Sequence, residues 1–187
     1  MKRCLCFVLA ALMALMCSAC TGKSKTDYSE YGTSAVIDVG EATAKAGDTV
    51  DVAISFVNNP GVAAISVQLD YDTSALEAVS AKAVGKLAGT GFLLTSTDEE
   101  GADSALSDAG VDGSELVTGE DGMAKLLWFN AQNFTGEGEI MTVTFKVADN
   151  ASGTYEIKVV EHSDDLVSED QKVITDKVYL AGSVQVG

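Results

Sequence analysis

His162 is the only histidine among the 187 residues, so any nucleophile activated by an imidazole would have to use it. A Ser-His-Asp arrangement also needs a serine presented on a sharp turn, and the chain contains no Gly-x-Ser-x-Gly elbow. All four cysteines (Cys4, Cys6, Cys17 and Cys20) lie in the first twenty residues, which leaves no His/Cys cluster of the kind zinc prefers. Carboxylates are plentiful, and Asp108-Ala109-Gly110-Val111-Asp112-Gly113 places Asp at the first and fifth positions of an EF-hand loop and Gly at the sixth. The third position is Gly110, however, and the twelfth, which requires a bidentate Glu, is Gly119. Glycoside hydrolysis needs two carboxyl groups facing each other across roughly 5–9 Å, and nothing in the pattern singles out such a pair. These residues therefore predict no catalytic group, no metal site and no cofactor. His162 is expected at a strand end, partly exposed.

The beginning of the chain reads as a targeting segment. Lys2 and Arg3 precede an apolar run from Leu5 to Met16, followed by Ser18, Ala19 and Cys20. That run is shorter than the ~20 apolar residues that span a bilayer, and its layout is that of a secretory signal. Met16-Cys17-Ser18-Ala19-Cys20 resembles a bacterial lipobox, with Cys17 where Leu is usual three positions before the acylated cysteine. The expected division is a signal peptide over 1–19, a flexible polar tether over 20–34 that begins at lipidated Cys20, and one domain over 35–187. The other reading is an ordinary signal peptide cut near Ala19, leaving Cys20 a free thiol. With cleavage before Cys20 no intramolecular disulfide can form, so the domain must rest on its core alone.

The formal net charge is −16. A surface of that sign repels nucleic acid and anionic lipid headgroups, and it keeps an exported protein soluble. Nucleic acid is therefore excluded as a partner. Contact with a membrane is expected only through lipid on Cys20.

From Ala35 onward the apolar residues alternate with period two. Val50, Val52, Ile54 and Phe56 form one such series; Ile65, Val67, Leu69 and Tyr71 form another. Asn58-Asn59-Pro60-Gly61 is a turn signal between them. Further strands are predicted at Leu76–Val84, Phe92–Thr97, Met123–Ala131, Ile140–Ala148, Tyr155–Glu161 and Val178–Val186. With the strand around Val36–Val39 this gives nine, no helix beyond a turn or two, and an antiparallel sandwich. The stretch 98–122, rich in Asp, Glu, Gly and Ser, is read as a long solvated loop. Sugar binding by a sandwich asks for exposed aromatics, and most aromatics here fall on the inward parity.

Several of these segments together resemble a cohesin domain, the module that binds dockerins. Ala44-Lys45-Ala46-Gly47-Asp48-Thr49-Val50 resembles the family's opening turn into a strand. Gly61-Val62-Ala63-Ala64-Ile65, then Leu69-Asp70-Tyr71-Asp72 and Leu76-Glu77, resembles its most recognisable stretch. Lys125 to Gly138 (KLLWFNAQNFTGEG) and the closing Gly182 to Gly187 follow in the same order, so the likeness covers about Ser34 to Gly187. It implies an all-β fold, a nine-stranded antiparallel β-sandwich with jelly-roll topology. It also implies a non-catalytic module on the extracellular face of a bacterial membrane. Such a module would recruit a dockerin-containing protein, a secreted glycoside hydrolase or a scaffold, into a polysaccharide-degrading assembly. The alternative is a sandwich that binds glycan or adheres directly.

In that family the strand equivalent to Ala63–Tyr71 lies on the face that receives the dockerin. Parity places Ala64, Ser66, Gln68 and Asp70 outward there. The best-known cohesins carry Asn and Asp on this strand, where this chain has Ala64 and Ser66, so the resemblance implies a different partner specificity. Around Trp128 both parities are apolar: Leu126, Trp128 and Asn130 on one, Leu127, Phe129 and Ala131 on the other. The expectation is that Leu126, Trp128 and Asn130 face the partner and Phe129 is core. The targeting segment supplies the first test: Cys20→Ala should release the protein into the medium or leave an uncleaved precursor. Membrane retention of correctly cleaved Cys20→Ala protein would rule out anchoring at that residue.

Overall fold

A computed structural model describes residues 26–95 and 124–187. The expected signal peptide, lipidated Cys20 and the acidic stretch 98–122 lie outside the described residues. Among the described residues there are twelve strands: β1 (Ala35–Val39), β2 (Glu41–Ala44), β3 (Thr49–Val57), β4 (Val62–Tyr71), β5 (Leu76–Ala83), β6 (Phe92–Thr95), β7 (Ala124–Phe134), β8 (Gly138–Val147), β9 (Gly153–Val159), β10 (Leu166–Val167), β11 (Lys177–Leu180) and β12 (Gly182–Val186). They form two sheets, one in the order β11-β1-β3-β8-β5 and the other β2-β12-β9-β4-β7-β6, with β10 beside β4.

The period-two series predict the core correctly. Val52, Ile54 and Phe56 from β3, Ile65, Val67 and Leu69 from β4, and Val143, Phe145 and Val147 from β8 are all buried. Each series gives its sheet one apolar face, and the two faces meet. Tyr71 and Phe145 join across that layer edge to face, ring centroids 5.0 Å apart. At the end of β4, Asp72 Oδ1 accepts hydrogen bonds from the backbone N–H and the hydroxyl of Ser74. The amides of Ala75 and Leu76 return to the Asp72 carbonyl, so Tyr-Asp-Thr-Ser is a hydrogen-bonded turn into β5.

The strand count differs from the predicted nine because the first and last strands each change sheets. β1 lies in the first sheet, and after Gly40 the chain continues as β2 in the second. β11 and β12 make the same change at Ala181. The two segments run side by side, β1 parallel to β11 and β2 parallel to β12, so both sheets are mixed rather than purely antiparallel. Hydrophobic alternation continues through such a crossing, and periodicity alone cannot show it. The strand predicted at Tyr155–Glu161 ends at Val159 as β9, and the chain beyond it returns to β4 as β10.

Part of the expected tether is folded. Tyr28 donates to Asp38 Oδ2 at 2.6 Å, Ser29–Tyr31 form one 3₁₀ turn, and Asn58 Nδ2 donates to the carbonyls of Gly32 and Ser34. Burial and the neighbouring Asp38 carboxylate raise the Tyr28 hydroxyl above its ordinary pKa.

At the crossing the backbones approach too closely for a side chain. A Cβ on Gly182 would stand 2.1 Å from the carbonyl oxygen of Gly40 and 2.6 Å from that of Val39. Gly182→Ala should therefore destabilise the domain by about 2–3 kcal/mol through forced separation of the paired segments. Gly89→Ala, where a Cβ meets nothing within 4 Å but φ is +73°, should show only the cost of about 1 kcal/mol of a left-handed alanine when the two are compared in urea denaturation.

Candidate functional site

The second sheet presents its outer face through β7, β4 and the chain that follows β9. On β4, Ile65, Val67 and Leu69 are fully buried, whereas Ala64, Ser66 and Gln68 are half-buried and Asp70 is exposed. The four residues expected on the outer face are there.

The neighbouring strand is the reverse of the expectation. Trp128 is 0% exposed and Leu126 is buried beside it. Cross-strand register explains why: Trp128 stands opposite Ile65 and Leu126 opposite Val67, and directly paired residues project to the same side of a sheet. The indole also has its polar atom satisfied inside, since Nε1 donates to the Thr90 carbonyl at 2.8 Å. Its ring packs edge to face on Phe134, centroids 5.8 Å apart. Gly91 leaves room for it, because a Cβ there would lie 2.7 Å from Nε1. Leu126 and Trp128 are therefore core residues and not contacts for a partner. Asn130, on the same parity, is half-buried and uses its side-chain oxygen to accept from the Ala131 amide.

The outer face of β7 instead carries Lys125, Leu127 and Phe129, opposite Gln68, Ser66 and Ala64 respectively. Leu127 is 38% exposed, and Phe129 is half-buried. Sequence held a signal for this parity: Lys125 falls in phase with Leu127 and Phe129, and an unpaired lysine does not belong in a core.

Beyond β4 the face is completed by the segment between β9 and β11. β9 pairs with the C-terminal half of β4 through Leu69, Asp70 and Tyr71, and β10 pairs with the N-terminal half at Ala64 and Ile65. Between them Val160 donates to the Gln68 carbonyl and Ser66 to the Asp165 carbonyl. His162 sits over this edge with Nε2 3.2 Å from Gln68 Oε1. The single histidine is thus an exposed neighbour of the candidate face.

Asp165 holds the segment in place. Its carboxylate is buried and accepts from the His162 amide at 2.6 Å and from the Tyr179 hydroxyl at 2.9 Å. Lys177 Nζ lies 3.5 Å from the same oxygen and donates to the His162 carbonyl; the side chains of both members of the ion pair are almost wholly buried. Desolvation, then the hydrogen bond to Asp165, pushes the Tyr179 hydroxyl far above its ordinary pKa.

The rest of the face is polar. Asp70 pairs in register with Lys158, which forms a 2.8 Å ion pair with Glu156. Both members of that pair are more than half exposed, so it adds little stability. Among the described residues no group of three or more His, Cys, Asp or Glu side chains could hold a metal ion. The arrangement suits a flat contact with another protein, with apolar atoms at one end and hydrogen-bonding groups at the other.

The cohesin domain family model matches residues 35–186. Solved structures with the same fold include the third cohesin of ScaC in complex with the ScaB dockerin, from Acetivibrio cellulolyticus, at 24% identity and a TM-score of 0.60. That match covers 81% of this chain and 98% of the other. The seventh ScaB type I cohesin from Pseudobacteroides cellulosolvens matches at 23% identity and a TM-score of 0.55, covering 82% and 92%. A non-cellulosomal cohesin from the archaeon Archaeoglobus fulgidus matches at 15% identity and a TM-score of 0.56, covering 82% and 91%. Comparison with curated protein sequences gives no significant match.

Because Trp128 fills the core, Trp128→Ala should lower unfolding stability by about 3–5 kcal/mol, the range for a large buried aromatic. Leu127→Ala on the opposite parity should leave stability within about 1 kcal/mol of the original. Chemical denaturation of the two variants side by side checks the assignment of the two faces.

Proposed function

Since the chain belongs to the cohesin family, we propose that it is a non-catalytic module that binds a dockerin-bearing protein through the outer face of β4 and β7. The family match over residues 35–186 carries this reading, because it spans both sheets of the sandwich. Two of the solved relatives that share the fold are cohesins captured with their dockerins. The burial of Trp128 also favours a protein partner over glycan, since it removes the largest aromatic from the surface where a sugar platform would be sought.

The partner we propose is a secreted glycoside hydrolase or a scaffold protein that carries a dockerin. The composition of residues 2–20 supports tethering on the extracellular face of a bacterial membrane through lipid on Cys20. Two or three acyl chains bury enough methylenes, at about 0.8 kcal/mol each, for firm anchoring. Recruitment would then fix an enzyme beside the cell that takes up its products.

Ala64 and Ser66 set the specificity. Ala64 offers no side-chain hydrogen bond and Ser66 only an uncharged hydroxyl, so a partner that relies on a carboxylate at these positions would lose affinity. A pull-down with a panel of dockerins, run beside a polysaccharide-retention assay, tests the reading. Retention of at least one dockerin with no retention on polysaccharide is the expected result. Binding to polysaccharide without any dockerin would assign the face to glycan.

A further inference from the structure

Neither side chain of the Asp165–Lys177 pair reaches solvent: Asp165 is 2% exposed and Lys177 3%, with Nζ 3.5 Å from Oδ2. Asp165 lies in the chain between β9 and β10, and Lys177 opens β11, an edge strand of the first sheet. Nζ also donates to the carbonyls of His162 and Ser163. Among the described residues, Asp165 is thus the one carboxylate that faces this ammonium. A buried pair of this kind carries the desolvation cost of two charges, which their attraction repays only in part.

The donors converge on one oxygen of the carboxylate. Oδ2 accepts from the His162 N–H at 2.6 Å and from the Tyr179 hydroxyl at 2.9 Å, and it is the atom that Lys177 approaches. Burial, then the bond to Asp165, holds the Tyr179 hydroxyl in its protonated form. The ring of Tyr179 also stands beside the ammonium, with Nζ 5.5 Å from its centroid. Two fixed donors on one carboxyl oxygen, in a site shut off from solvent, stabilise negative charge that builds on that oxygen.

We propose that Asp165 and Lys177 condense to an intramolecular amide, an isopeptide bond between Cγ of Asp165 and Nζ of Lys177. The step balances within the pair. The ammonium passes one proton to Oδ1, and the neutral amine attacks Cγ. Charge develops on Oδ2, where the His162 amide and the Tyr179 hydroxyl meet it. The bond from Cγ to Oδ1 then breaks, and Oδ1 departs as water with that proton and a second one from the nitrogen. The three hydrogens of the ammonium end in one amide N–H and one water molecule. No oxidant, reductant or activating group is needed.

The fold supplies what two free groups in water lack. Holding reactants about 3–3.5 Å apart raises their effective concentration to the order of 10⁵–10⁸ M. Two buried charges also become one neutral amide, which removes the desolvation cost that the ion pair carries. The link would close a ring through β10. It would staple β11, at the edge of the first sheet, to the chain that lies beside β4 in the second. Residues 35–187 contain no cysteine, so a disulfide cannot do this. The bond is independent of the dockerin-binding reading above.

Tryptic digestion of the denatured full chain, followed by mass spectrometry, tests the bond. Trypsin should fail to cleave after Lys177, and peptides 159–172 and 173–187 should appear joined and lighter than their sum by one water. Fragmentation should place the link at Asp165 and not at its neighbour Asp164. Lys177→Arg keeps the charge and should return separate peptides of full mass. Tyr179→Phe should lower the joined fraction in freshly made protein, and a fraction equal to the parent's would overturn the role given to that hydroxyl. Separate peptides of full mass from the parent chain overturn the proposal and leave the pair ionic. Water loss confined to peptide 159–172, with normal cleavage after Lys177, is an aspartyl succinimide and overturns it as well. The readout is mass, so each outcome stands whether or not a dockerin binds.

Discussion

The carboxylate of Asp165 joins parts of the molecule that are otherwise separate. It belongs to the chain between β9 and β10, on the second sheet, while Lys177 and Tyr179 reach it from β11 at the edge of the first. An ionised carboxylate buried without partners would cost several kcal/mol, and this one is supplied with a backbone amide, a hydroxyl and an ammonium. Its own carbonyl accepts from Ser66 in the middle of β4. The position of β10, and so of Val167 beside Ala64, follows from these bonds. Removing the carboxylate would leave Lys177 buried without a counter-ion, which is the costly way to break such a pair.

A second constraint lies in the crossing of the terminal strands. β1 with β2 and β11 with β12 pass from one sheet to the other together, and the sheets are joined along that side by continuous chain. Gly182 permits the approach because it brings no side chain into the gap. The candidate face on β4 and β7 lies away from this seam.

Most of the fold was legible in the sequence because burial on one face writes itself as alternation. β3, β4 and β8 were found from that pattern, and Asn58 to Gly61 marked a turn. Alternation fails where both faces are apolar. On β7 the choice between Trp128 and Phe129 was decided by register with Ile65 and Ala64, which is a long-range fact. Lys125 was the one local residue that pointed the right way. β10 was illegible for a different reason: two residues pair with β4 because Asp165 is anchored by side chains far along the chain, and no short pattern encodes that. The resemblance to cohesins placed β4 on the candidate face, whereas the place of β10 beside it required the paired strands.

The side-by-side run of the terminal strands has a mechanical consequence. β1 lies between β3 and β11, bonded to both along its length. Tension applied at Ala35 along the strand axis would act on the hydrogen bonds of both ladders in shear. They would bear the load at once, whereas a strand peeled from an edge gives up its bonds one after another. Tyr28 on Asp38 and Asn58 on the Gly32 and Ser34 carbonyls meet that pull before it reaches β1. Pulled from Ala35 along that axis, the first sheet would therefore resist in shear rather than by peeling.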